Sequence, residues 1–319
     1  MKKLLSVALC ILIVASIFAG CGNINKTDNN KLKVVTTIYP LYDWVKNITG
    51  SADVELSMIE KNGADLHNFQ PTVEDIGNIA ECDVFIYVGG ESDSWVDDAL
   101  KQKSNPDMVV INLMDVLKDN IKEEEVVEGM EAEDEEDEEE EPEYDEHIWL
   151  SLKNAKIICN YIAEKLAQID SDNADAYKKN AAKYVGELDK LDGEYQAAVD
   201  KAVSKTLLFG DRFPFRHLVD DYALSYYAAF VGCSAETEAS FETIAFLANK
   251  VDELKLKYIM KIESSDGSVA NTVKENTKDK DQQILTLDSL QSVTVDTAEN
   301  SGYLDIMRQN LEVLKTALS

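Results

Sequence analysis

Val84-Phe85-Ile86-Tyr87-Val88, closed by Gly89-Gly90, is a run of five residues without a charged position. So short an apolar run, bounded by glycines, reads as a strand buried on both faces. Around it lie further β-branched or apolar runs at 34–38, 54–59 and 109–111. Pro40 is expected to end the first, and Asn62-Gly63 ends the second. The segments between them carry helical spacing. Residues 41–49 stop at Gly50, and 72–80 open on a Thr72/Asp75 capping-box pattern. Short buried strands alternating with helices imply parallel βαβ units.

The same grammar returns after residue 205, with strands expected at 206–209, 225–230, 258–262 and 284–287. Helices are expected at 215–222, 241–254, 269–276 and 303–318. Between the halves, Ser151 is placed to cap a helix over 152–169. Then Tyr177, Ala181, Tyr184, Leu188, Leu191, Tyr195 and Val199 recur at three- and four-residue steps. That is a single long amphipathic helix. The predicted fold is therefore α/β: an N-terminal lobe over 33–173, a rigid linker helix over 174–204 and a C-terminal lobe over 205–319. Each lobe is a parallel sheet sandwiched by helices.

Residues 1–20 read as a secretory signal. Lys2-Lys3 precede an apolar run that is short for a bilayer span, and small residues lead up to Cys21. The arrangement resembles a bacterial lipobox, which would make Cys21 the lipidated first residue of the mature protein. Ordinary secretion with Cys21 unmodified is the alternative. The polar stretch 21–32 then serves as a tether. The expected location is the extracytoplasmic face of the membrane.

The formal charge is −30, and 17 acidic residues with no Lys or Arg lie between Glu123 and Glu146. Like charges at that density cannot bury a core, so 119–146 is expected to be a disordered loop. The acidity excludes nucleic acid as a partner, which needs a basic footprint. Cys82, Cys159 and Cys233 are scattered without CxxC spacing, as expected of free, mostly buried thiols rather than a disulfide framework or a cysteine zinc site.

The chain has three histidines, His67, His147 and His217. His67 follows the strand at 54–59, and Asp288 follows that at 284–287. Asp211 and Arg212 follow the strand at 206–209, and His147 precedes a helix beside Asp145 and Glu146. Open parallel sheets bind ligands beyond the carboxyl ends of their strands. Two imidazoles and a carboxylate suit a borderline divalent ion such as zinc, with neighbouring carboxylates orienting the rings. From spacing alone, both histidines could equally be loop residues without a ligand.

Three motifs resemble the zinc- and manganese-binding lipoproteins of ABC importers. These are Gly63-Ala64-Asp65-Leu66-His67-Asn68-Phe69-Gln70-Pro71-Thr72, Tyr144-Asp145-Glu146-His147-Ile148-Trp149-Leu150-Ser151 and Leu285-Thr286-Leu287-Asp288-Ser289-Leu290. The likeness runs from about residue 33 to the C-terminus. The second motif usually reads Asp-Pro-His-x-Trp-Leu. The resemblance implies a metal cleft between the lobes, with His67 and His147 as ligands from the first and Asp288 from the second. The ion would be cargo, Zn2+ or else Mn2+, handed by a tethered, monomeric, non-catalytic protein to an ABC permease.

A further motif departs from the family. Aligning Phe215 and Tyr222-Ala223-Leu224 puts Arg212 where a His or Glu ligand is usual. Arginine offers only donors and cannot ligate. Asp211, His217 or a water could fill the gap, or Arg212 could neutralise the anion of a metal chelate. Glu238 and Glu263 follow strands and are either cleft residues or solvated loop carboxylates. Two other classes stay open. A secreted zinc hydrolase would draw its base from Glu238 or Glu263, although no HExxH or Gly-x-Ser-x-Gly is present. An adhesin with structural metal would lose its ion only on unfolding. The acidic loop is a low-affinity cation collector, a sensor of metal sufficiency or a solubilising insertion.

Overall fold

The computed structural model describes residues 31–61, 63, 66–131, 143–234 and 238–319. The expected signal and nearly all of the expected tether, with Cys21, lie outside the described residues, as do Ala64, Asp65 and the middle of the acidic run. Within the body, β1 (Leu32–Thr36), β2 (Val54–Met58), β3 (Val84–Tyr87) and β4 (Val109–Asn112) form one sheet in the order β2-β1-β3-β4. Every pairing is parallel. The strands β5 (Thr206–Phe213), β6 (Ser225–Val231), β7 (Tyr258–Ile262) and β8 (Gln283–Leu287) form the second sheet, again all parallel, in the order β6-β5-β7-β8. The two lobes thus share one topology, although no sequence repeat links them.

The helices are α1 (Tyr39–Thr49), α2 (Val73–Glu81), α3 (Val96–Leu100), α4 (Leu113–Leu117), α5 (Leu152–Ile169) and α6 (Ala174–Asp200) in the first half and linker. They continue with α7 (Arg216–Asp221), α8 (Phe241–Leu254), α9 (Ser268–Asn276), α10 (Val295–Asn300) and α11 (Tyr303–Ala317). Pro40 opens α1, the first-turn position where its missing N–H costs nothing, rather than ending β1, which stops at Thr36. The Thr72/Asp75 capping box forms, and Ser151 caps α5 by accepting from Asn154 N–H. All seven stripe residues of α6 are buried.

One apolar core runs through both lobes. It contains Val34 and Ile86 of the first sheet, Phe209 and Met260 of the second, and the α6 stripe between them. Trp149 Nε1 donates to Ser289 O at 2.9 Å, and Tyr303 Oη donates to Trp149 O at 2.6 Å. A continuous hydrophobic interface of this kind restrains relative lobe motion.

Two further expectations need correction. Strand β5 does not stop at Phe209. It shifts register and continues through Asp211 and Arg212 to Phe213, because Gly210 lets the backbone pass against α9. A Cβ at Gly210 would sit 2.4 Å from Ala270 Cα. The acidic loop is also ordered at both ends. Glu124 N–H donates to Glu143 O at 2.9 Å, Asp145 N–H to Lys122 O at 2.8 Å, and Glu131 N–H to Ala229 O at 2.9 Å. Apolar residues interrupt the acids here, so Met130 enters the core and Val127 packs on it. Arg216 takes the Glu125 carboxylate at 3.3 Å. The dense acidic centre, 132–142, lies outside the described residues.

Candidate metal centre

His67 sits on a single helical turn, Leu66–Asn68, in the connection from β2 to α2. His147 is the N-cap of the turn Ile148–Leu150, just before α5. Their rings face one another across 5.4 Å. Although nothing local links them, each ring has a carboxylate at Nδ1.

For His147 that carboxylate is Asp145, whose Oδ1 accepts from the His147 backbone N–H at 2.9 Å and lies 3.2 Å from Nδ1. Holding the proton on Nδ1 leaves the Nε2 lone pair free for a cation. Burial alone would depress the His147 pKa, but the Asp145 charge and hydrogen bond, helped by Glu146 and Glu124, raise it. Asp145 is buried as well. Its desolvation is outweighed by His147 and His217, and its carboxyl stays below the usual range.

His217 is enclosed on α7 and supports this arrangement from behind. Its Nε2 lies 2.9 Å from the Asp145 carbonyl oxygen, which can only accept, and its Nδ1 lies 3.4 Å from Asn154 Nδ2. That network leaves His217 orienting Asp145 rather than facing the His67–His147 pair.

At His67, Nδ1 lies 2.8 Å from Ser92 Oγ and 3.3 Å from Glu146 Oε1. Glu146 accepts from Ser92 through both its backbone N–H, at 3.1 Å, and its hydroxyl. Burial raises the Glu146 carboxyl, against the pull of His147 and Ser92. Ser92 is presented by the turn after β3, where Asp93 Oδ2 accepts from Val88 N–H at 2.9 Å and Gly89 N–H at 3.0 Å. Gly90 has φ +87°, and a Cβ there would meet Glu146 Oε2 at 2.5 Å, so the turn needs glycine twice over.

The second lobe supplies an unexpected side chain. Gln291 Nε2 lies 2.5 Å from His147 Nε2 and 3.1 Å from His67 Nε2. The Ser289 hydroxyl lies 2.9 Å from Gln291 Oε1, which turns the amide nitrogen toward the imidazoles. Cys233, in the turn after β6, completes the surroundings. Ligand atoms of His67, Glu146, His147 and Cys233 all lie within 4.8 Å of one another. Burial, then the carboxylates of Glu146, Asp145, Glu124 and Glu91, push the Cys233 thiol well above its ordinary value. The same carboxylates would favour a dication beside it.

Asp288, Asp211 and His217 are not among those four converging groups. Asp288 stands at the end of β8, where its Oδ1 accepts from Leu290 N–H at 2.8 Å. Burial and the neighbouring Glu263 charge raise its carboxyl to about 6. Glu263 in turn accepts from Ser289 N–H at 2.7 Å and faces the Ser289 hydroxyl. Asp211 clamps backbone: Oδ2 accepts from Ile262 N–H at 3.2 Å and Oδ1 from Arg212 N–H at 2.9 Å. Arg212 Nη1 donates to Ser234 O at 3.2 Å. Glu238 is exposed. The three described cysteines are free, as expected, with Cys82 and Cys159 buried.

A cleft of about 460 Å³ opens onto His67, bordered by Phe69, Trp95, Glu124 and Cys233. Glu124 enters it from the base of the acidic segment, and its Oε1 accepts from Cys233 N–H at 3.4 Å. Burial and the Asp145 charge lift its carboxyl to about 7. Sequence reading missed Gln291, Ser92 and Cys233 as parts of this centre. Only Glu146 carried a signal, as a carboxylate standing in the motif's usual proline position.

Two equivalent α/β lobes, a long connecting helix and carboxylate-backed imidazoles beside a cleft define a class: two-lobed binding proteins that hold a small ligand between lobes. The family model for "Zinc-uptake complex component A periplasmic", ZnuA, matches residues 34–317, and the chain belongs to this family. It is 33% identical over 322 residues to the high-affinity zinc uptake system protein ZnuA of Bacillus subtilis, covering 98% of this chain and 96% of that protein. It is 30% identical to the zinc-binding lipoprotein AdcA of Streptococcus pneumoniae, covering 99% of this chain but 61% of AdcA. Among solved structures, the Zn(II)-bound ZnuA-like domain of pneumococcal AdcA superposes with a TM-score of 0.71 at 25% identity, covering 91% of this chain and 99% of that one. The metal-dependent lipoprotein YcdH of Bacillus subtilis gives 0.71 at 28% identity, covering 90% and 99%.

Proposed function

We propose that this chain captures zinc outside the cytoplasmic membrane and delivers it to the permease of an ABC importer. The carrying observation is the His67–His147 pair, with ring centroids 5.4 Å apart and a carboxylate behind each Nδ1. Two imidazoles from separate loops, each oriented by a buried acid, form the nucleus of a zinc site rather than a surface feature. Membership of the zinc-uptake family supports the same reading.

In this reading zinc is cargo and the protein carries out no chemistry on it. The resemblance adds Asp288 as a carboxylate ligand from the second lobe. It also makes Cys21 the lipid-bearing residue that keeps a monomer near its permease. The apolar core shared by the lobes implies a modest movement on loading, with release driven by contact with the permease.

Elemental analysis after dialysis tests the capture step. Wild type should retain one zinc per chain, and His67→Ala should retain none. The stripped protein should keep its circular dichroism spectrum, since cargo leaves a folded protein whereas a structural ion does not. Zinc uptake by vesicles containing the permease should require the loaded protein. Failure of wild type to retain zinc, or unfolding on its removal, would sink the proposal.

A further inference from the structure

We infer that Cys233 is a thiolate ligand of the cargo ion, joining His67 and His147, with Glu146 behind His67, in a mixed nitrogen and sulfur site that selects zinc over manganese. This rests on the capture function proposed above and names the donors of that site.

Geometry carries the argument. The four side chains come from three separate stretches of sequence, yet their ligand atoms lie within 4.8 Å of one another. A tetrahedral zinc site, with bonds of about 2.0–2.3 Å, needs ligand atoms roughly 3.3–3.8 Å apart. Side-chain adjustments of about an ångström close that difference. Asp288, held by Leu290 N–H at the end of β8, stands outside this group.

The turn that carries the thiol is fixed from three sides. Glu124 Oε1 accepts from Cys233 N–H, and Arg212 Nη1 donates to the carbonyl of the next residue, Ser234. Gly232 packs so closely on the His147 ring that a Cβ would sit 3.1 Å from its Cε1. Arg212 is therefore a positioning residue. The guanidinium at the family's ligand position holds the turn that brings in a replacement donor. Glu146 is a second departure from the motif, a carboxylate where proline is usual, and it backs the His67 ring.

Donor chemistry then gives the selectivity. Thiolate and imidazole suit zinc, whereas manganese prefers carboxylate, carbonyl and water oxygens. A site with a thiolate beside two imidazoles discriminates more strongly than one built from imidazoles and carboxylates alone.

The test uses the purified protein loaded with Co2+ or Zn2+. Wild type should show a near-ultraviolet thiolate-to-cobalt charge-transfer absorption. Cys233→Ser and Cys233→Ala should lack it, and their zinc-over-manganese preference should fall roughly tenfold or more. On wild type alone, stoichiometric zinc should protect Cys233 from alkylation by iodoacetamide, as read by peptide mass spectrometry. One zinc retained with Cys233 still alkylated and no charge-transfer absorption overturns the thiolate while leaving the capture function standing. Loss of zinc from Asp288→Asn but not from Cys233→Ser overturns it in favour of Asp288. Retention of no zinc by wild type overturns both.

Discussion

The amide nitrogen of Gln291 lies 2.5 Å from Nε2 of His147, and the same atom reaches Nε2 of His67 at 3.1 Å. One side chain of the second lobe thus satisfies both imidazole lone pairs that a cation would need. Gln291 is buried, and Ser289 orients its amide. It occupies the position of a competitor for the ion.

Gln291→Ala should therefore bind zinc more tightly. Each hydrogen bond to be displaced is worth about 1 kcal/mol net, so loss of both, about 2 kcal/mol, should raise affinity by about thirtyfold. Competition against a zinc chelator measures this. A weakened affinity would mean that Gln291 supports the loaded state instead.

Asp145→Asn should weaken zinc binding by about ten- to a hundredfold, the usual cost of removing the partner that orients a ligating imidazole. It should also change the pH profile. The Asp145 charge raises the His147 pKa, so a proton competes with zinc at higher pH than on a free imidazole. Removing that charge lowers the pKa, and the fall in affinity on acidification should begin at lower pH. Titrations at several pH values read both effects. An unshifted profile would show that His147 does not titrate with binding.

Asp93 provides a stability prediction for the metal-free protein. Burial lifts its carboxyl from 3.8 to about 7, against the N–H groups of Gly89 and Val88. A raised folded-state pKa means that the native state binds the extra proton. The contribution to stability is therefore complete below about pH 4 and lost as pH rises toward 7. Asp93→Asn keeps an acceptor for the turn and removes that loss. Its melting temperature relative to wild type should climb across this window, as thermal scans at pH 4, 5.5 and 7 would reveal. A constant difference would refute the assignment.

Gly210→Ala should destabilise the second lobe, because the added methyl would lie 2.4 Å from Ala270 Cα on α9. Overpacking of this kind costs about 1–3 kcal/mol, and the obstacle here is backbone rather than a flexible side chain. Urea denaturation measures the loss. Zinc stoichiometry should persist in the folded fraction.

Much of the fold was legible in the residues themselves. The apolar runs became parallel strands, and the α6 stripe was buried residue for residue. The Thr72 and Ser151 caps formed where their side chains stand. Periodicity and capping act over a few residues, so a linear reading reaches them. The His67 and His147 motifs stood out only through their resemblance to a family's short signatures, since spacing alone left both histidines open as loop residues.

What the sequence by itself determined was the element order, the α/β class and the two imidazoles. Only the tertiary structure decided what surrounds those imidazoles. Gln291 stands 144 residues from His147 along the chain, and no local pattern distinguishes it from a surface glutamine. Asp211 looked available until β5 continued past Gly210 and its carboxylate was taken by backbone N–H groups. The ends of the acidic stretch looked too charged to fold until Met130 and Arg216 gave them a core contact and a counter-charge. The physical reason is common to all three. The order of strands in each sheet, and the apolar core that joins the sheets, set which distant loops meet, and that packing is cooperative rather than local.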